Sequence, residues 1–130
     1  MILFYATERD RDVTTLEGLV AQRMPQRHLV HCRSLAQLDK RLRQPRHNVE
    51  ILLLYIANAI EIRHLSAMRP LLADMNLVIV LPDRNADIIA WAHKLSPRFI
   101  AYAGDGFEQV GAVMEKMLLA LKVVALRAAY

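Results

Sequence analysis

The chain switches between two rhythms of polarity. Short, nearly unbroken apolar runs recur at residues 2–6, 29–32, 51–56, 77–81 and 99–103. The third and fourth are continuous apolar blocks, as expected for strands covered on both faces of a parallel sheet. The second is flanked and interrupted by His28 and His31 and suits a sheet edge. Between the runs the spacing becomes helical. Val13, Leu16, Val20 and Met24 share one helix face. Ser34 and Gln37 have capping-box spacing ahead of Leu38 and Leu42. Asn58 opens a third helix through Ile62, Leu65 and Met68, which Pro70 breaks or restarts. Asp83 or Asn85 caps a fourth, with Ile88, Trp91, Ala92 and Leu95 on one face and Pro97 at its end. Strands alternating with helices predict βαβ units with right-handed crossovers. The expected fold is α/β, a doubly wound five-stranded parallel sheet of order 2-1-3-4-5. Helices cover both faces, and residues 1–130 form one domain.

The last helix departs from this regularity. Starting after Gly104 and Gly106, residues 107–130 could form 24 helical residues, about 36 Å. Phe107, Val110, Val113 and Met117 are expected to face inward, with Leu118, Leu121, Val124 and Ala125 continuing that stripe. Leu119, Val123 and Leu126 form a second apolar face, and beyond Leu118 only Lys122 and Arg127 are polar. A helix apolar nearly all round must be covered, and a small sheet covers one stripe. The pattern predicts a homodimer built on Leu119, Val123 and Leu126.

Composition narrows the class. At 130 residues and 55% hydrophobic, the chain has enough material for a proper core. No apolar run reaches the ~20 residues of a membrane span, and no basic leader precedes the first apolar stretch, so a cytoplasmic location is expected. The single cysteine, Cys32, excludes an internal disulfide. The net charge of +4 is unevenly spread: residues 23–47 hold seven Arg or Lys against one acid, Asp39. That local excess of six makes one edge basic, with Arg41, Arg43 and Arg46 at its centre.

In an open parallel sheet, ligands and chemistry sit outside the carboxyl ends of the strands. The order, length and spacing of the elements resemble the receiver domain of two-component response regulators over essentially the whole chain. The resemblance implies an acidic pair at the end of strand 1, an acceptor aspartate ending strand 3, a hydroxyl residue ending strand 4 and a lysine ending strand 5. Oxygen ligands would hold a hard cation, a carboxylate would attack phosphorus, and an ammonium would support the transferring charge. On this sequence those positions are Ala6 and Thr7, Tyr55, Pro82 and Tyr102. None can do that chemistry. Shifting the register does not help, since no carboxylate lies between Glu50 and Glu61 and no lysine between Lys94 and Lys116. The chain therefore resembles a pseudo-receiver, and no catalytic residue is expected.

Four acids near strand ends, Glu8, Asp10, Asp83 and Asp105, could form a displaced cation or ligand site. Helix capping and solvated loops, which this fold needs at these points, are the favoured account of them. Gly104 and Gly106 lack the third glycine and the acid or lysine of a nucleotide loop. His28 and His31, three apart on a strand, point to opposite faces, so no metal site and no cofactor are expected. The leading expectation is a non-catalytic, phosphorylation-independent signalling or scaffolding domain contacting itself and another signalling protein. A flavodoxin-like ligand-binding protein or enzyme using the strand-end loops is one alternative. A nucleic-acid-associated regulator using the basic edge is another, although no aromatic is interleaved there to stack bases. No membrane partner is expected.

Overall fold

A computed structural model describes residues 1–129; Tyr130, the expected end of the last helix, lies outside the described residues. The strands are β1 (Ile2–Tyr5), β2 (Leu29–Cys32), β3 (Ile51–Tyr55), β4 (Leu77–Leu81) and β5 (Phe99–Tyr102). They form one parallel sheet of order β2-β1-β3-β4-β5. Every residue of β1, β3 and β4 is buried, whereas β2 and β5, at the edges, are partly open. The continuous apolar blocks are therefore the central strands, and the histidine-bearing run is an edge.

The helices are α1 (Arg11–Arg23), α2 (Leu35–Leu42), α3 (Ala59–Ala67), α4 (Arg69–Leu72), α5 (Ala86–His93) and α6 (Glu108–Ala129). Strand residues alternate between two cores because successive side chains leave opposite faces of the pleat. Phe4, Leu53 and Val80 meet α1 and α6, while Leu3, Leu54 and Ile79 meet α2, α3 and α5. Side-chain caps fix the helix starts. Asp10 accepts from the Val13 N–H, Ser34 from Gln37, Asn58 from Glu61, and Asn85 from Asp87 and Ile88. Pro70, at the first turn of α4, restarts the chain after α3, as its missing N–H allows. At Gly106, φ of +78° with an extended ψ suits only glycine and turns the chain into α6.

The inward stripe of α6 differs from the expected one. Phe107, Val110, Met114 and Leu118 are buried, while Val113 and Met117 are only partly covered. The cause is the contact with α1. Gly111 seats against Leu19 and Arg23, and a Cβ there would stand 2.6 Å from Arg23 Cδ. That seat turns Met114 and Leu118 into the core. Coverage then stops: Leu121 is half-buried, and Val124 is 64% and Leu119 62% exposed. At about 1.5 Å per residue the 22 residues of α6 span about 33 Å, against about 17 Å for a five-residue strand. The helix runs back along the sheet and overhangs the edge where β4 and β5 begin, beside Asn76 and Arg98.

Candidate functional site

Parallel pairing puts the carboxyl ends of all five strands on one edge. Ala6 is buried just past β1, its N–H donating to the Cys32 carbonyl and its own carbonyl accepting from His31 Nε2 at 3.1 Å. The His31 ring lies flat on Phe4, with centroids 4.8 Å apart, while His28 is exposed. The two histidines do not converge, and Cys32 faces the other core. Among the described residues no group of three or more His, Cys, Asp or Glu could hold a metal ion.

Tyr55 closes β3 at the base of a cavity of about 290 Å³, which Glu8, Asp10, Asp12 and Pro82 also line. Burial, then the charges of Asp10 and Asp12, push the Tyr55 phenol up to about 12. At neutral pH it is a protonated, uncharged group, where a receiver would carry a carboxylate. Pro82 brings no hydroxyl. Tyr102 is half-buried beneath the Arg84 guanidinium, 4.2 Å from its ring centroid, and Arg84 pairs with Asp105 at 2.6 Å.

The four loop acids thus separate. Glu8 and Asp10 share the Tyr55 cavity, joined by Asp12, which the sequence reading did not single out. Asp83 accepts from the Asn85 N–H, and Asp105 is held by Arg84. Asp10 also caps α1, so most of these carboxylates have local structural duties.

The three arginines of the basic edge are not alike. Arg43 is exposed and pairs with Asp39 one turn away at 3.0 Å. Arg41 is half-buried, donating to the Pro45 carbonyl and to Asn48 Oδ1. Arg46, also half-buried, donates to the Leu71 carbonyl. Two of the three thus tie down the loop between α2 and β3, and this edge is not a row of free cations.

Sequence reasoning missed a second strand-end feature, on the α2–α3 side. Glu61, in the first turn of α3, is only 7% exposed, and its Oε2 accepts from the Thr7 hydroxyl at 3.0 Å. Tyr5, fully buried, lies beside it. Burial, with the Glu61 charge, raises the Tyr5 phenol far above its ordinary value, and burial likewise raises the Glu61 carboxyl. The signal in the sequence was the same Asn58-to-Glu61 spacing that reads as a helix start.

No protein-family model matches the sequence, and no curated protein matches it either. The fold has a solved counterpart. A Burkholderia pseudomallei protein described as pilus assembly-related superimposes with a TM-score of 0.66 at 13% identity, over 89% of this chain and 87% of that one. At that identity the likeness is one of fold, a flavodoxin-like α/β architecture. No helix among the described residues is long and apolar enough to cross a membrane.

Proposed function

We propose that this chain is a degenerate receiver-like domain, a cytoplasmic, non-catalytic module of bacterial signalling or scaffolding that works through protein contacts, including contacts with itself. Support for the non-catalytic part is chemical. Tyr55, Pro82 and Tyr102 occupy the strand ends where a phosphoryl acceptor, a hydroxyl and an ammonium would stand. Phosphorylation-independent use follows from that replacement. A protein of the same fold described as pilus assembly-related is one setting in which such a module could serve assembly.

The observation that carries the contact reading is the uncovered end of α6. Leu119, Val123, Val124 and Leu126 are 62, 39, 64 and 51% exposed, on a helix that has left its own sheet behind. Complete burial of a Leu or Val is worth about 1.5–3 kcal/mol, so leaving this group in water is costly. A two-fold interface covers the patch on both chains at once. Leu119, Val123 and Leu126 follow one another at four and three residues, the spacing with which two helices interlock. Sedimentation at micromolar concentration is the test. The intact chain is expected to be a dimer and Leu119→Glu with Leu126→Glu a folded monomer. A monomeric intact chain would end this reading.

A further inference from the structure

Cavities open at the carboxyl ends of the strands. Acids line two of them, one beside Tyr55 and one beside Glu61. A third, of about 340 Å³, lies between α1 and the end of β2 and is lined by Arg9, Val13, Thr14, Glu17 and Arg33. Its two arginines reach it from separate loops. Each stands one residue ahead of a helix N-cap, Arg9 before Asp10 and Arg33 before Ser34. Those caps fix the backbone that carries the arginines. Asp10 accepts from the Val13 N–H at 2.9 Å, Ser34 accepts from Gln37 at 3.1 Å, and the Arg33 N–H donates to Gln37 Oε1 at 2.7 Å. Among the described residues, no acid comes within ion-pairing distance of either guanidinium. The acid in the cavity wall, Glu17, is turned elsewhere. Its Oε2 stands 3.3 Å from Nδ1 of His31, a buried atom with no other partner. The Thr14 hydroxyl is likewise engaged, donating to the Asp10 carbonyl at 3.1 Å. Two like charges that share a cavity repel, and a cleft walled by one sign of charge concentrates the opposite ion.

We propose that this cavity is a binding site for a doubly charged oxyanion of the phosphate class, offered by a free phosphomonoester or by a phosphorylated side chain of a partner. The donor set selects that class. A guanidinium presents two parallel N–H groups to one oxyanion, so the pair can grip two edges of a tetrahedral group, where a planar carboxylate offers one. Two positive charges also match the charge of a phosphomonoester near neutral pH. The volume falls within the ~300–1,000 Å³ of small-molecule sites, which leaves room for the group that the phosphate esterifies. Open parallel sheets place their ligands at this end of the strands. Neither Tyr55 nor Pro82 lines the cavity, and binding here moves no phosphoryl group. The site is therefore separate from the receiver chemistry that those positions lack.

The site is independent of the α6 interface and stands or falls without it. The test is a titration of the full chain, by amide NMR shifts, with inorganic phosphate, methyl phosphate and acetate, each replacing chloride at constant ionic strength just above neutral pH. Saturable shifts centred on Arg9, Thr14 and Arg33 are expected from both phosphates. Acetate offers one edge and a single charge, so it should bind at least about tenfold more weakly. Arg9→Gln and Arg33→Gln should each weaken phosphate about tenfold and together abolish saturation. Both positions are exposed, so the variants should fold, which thermal unfolding checks. Glu17→Gln removes the competing acid from the wall and should tighten phosphate. A phosphoserine tripeptide binding more tightly than methyl phosphate would mark the anion as a partner's side chain, and the reverse order a free ester. Absence of saturable phosphate binding, equal binding of acetate, or binding unchanged in the double variant would overturn the proposal, as would weaker binding in Glu17→Gln.

Discussion

Gly111 offers a sharp test of how α6 is seated. A Cβ built there stands 2.6 Å from Arg23 Cδ and 2.7 Å from Leu19 Cδ2, where carbon atoms prefer about 3.5–4.0 Å. Both obstacles are side-chain atoms, Arg23 Cδ midway along its chain, and can move only at a cost. Arg23 would have to leave Glu108 at 3.2 Å and Glu115 at 3.4 Å. Such exposed ion pairs are worth about 0–1 kcal/mol. Leu19 is half-buried against the α1–α6 core, so its displacement is felt by packed neighbours. Overpacking of this kind costs about 1–3 kcal/mol. Alanine returns roughly 1 kcal/mol as the better helix former. Gly111→Ala is therefore expected to destabilise by about 1 kcal/mol, where propensity alone would stabilise by as much. For 130 residues that is a fall in Tm of about 4 °C. Thermal unfolding at one fixed protein concentration, for Gly111→Ala, Arg23→Ala and the double variant, separates the terms. With Arg23 truncated, half of the clash is gone, and the alanine should cost at least about 0.5 kcal/mol less. A stabilised Gly111→Ala, or the same effect in both backgrounds, would refute the close approach of α1 and α6.

Acetyl phosphate or beryllofluoride with Mg²⁺ should leave the chain unmodified and its melting temperature unchanged; a base-labile gain of one phosphoryl group by mass spectrometry would contradict the reading of Tyr55. Arg46→Ala should cost about 1–2 kcal/mol in urea unfolding, because it strips a charged donor from the half-buried Leu71 carbonyl. Arg43→Ala should cost under about 0.5 kcal/mol, and equal effects would mean that the edge is uniformly solvated after all. The Tyr55 phenol titrates above its ordinary 10.0, at about 12. Between those values the unfolded chain loses its proton first, so the fold has its full stability below pH 10 and loses it as pH rises towards 12. Tyr55→Phe should flatten the alkaline end of the stability profile, and an unchanged slope would argue against that buried phenol.

The order and pairing of the strands were readable because a parallel sheet buried on both faces leaves little choice of residue. Residues 51–56 and 77–81 are apolar without a break, and His31 at the edge has a carbonyl to meet. Helix starts were equally plain, since Asp10, Ser34, Asn58 and Asn85 each cap through their own side chain. The facing of α6 was not, because Val113 and Met114 are both apolar, and only the seat of Gly111 on α1 decides between them. The strand-end residues were legible one at a time but not as groups. Asp12 joins Glu8 and Asp10 because α1 begins beside β3, and Glu61 meets Tyr5 and Thr7 at the same strand ends from the opposite face of the sheet. Arg41 and Arg46 looked like free charges because a sequence does not show which loop carbonyls a long side chain can reach.

The sheet gives the molecule two poles. The strand carboxyl ends, with the Tyr55 and Glu61 cavities, occupy one, and the bare turns of α6 project beyond the other. If two chains pair antiparallel through those turns, both cavity-bearing ends point away from the seam and lie tens of ångströms apart, since α6 alone is about 33 Å long. The pair would be a two-headed connector. A target displaying two copies of a matching group would meet the second head at a high effective concentration, and millimolar contacts at each end could add up to a tight hold. Shortening α6 would then weaken capture of a repetitive target steeply, while a target with one such group would scarcely notice.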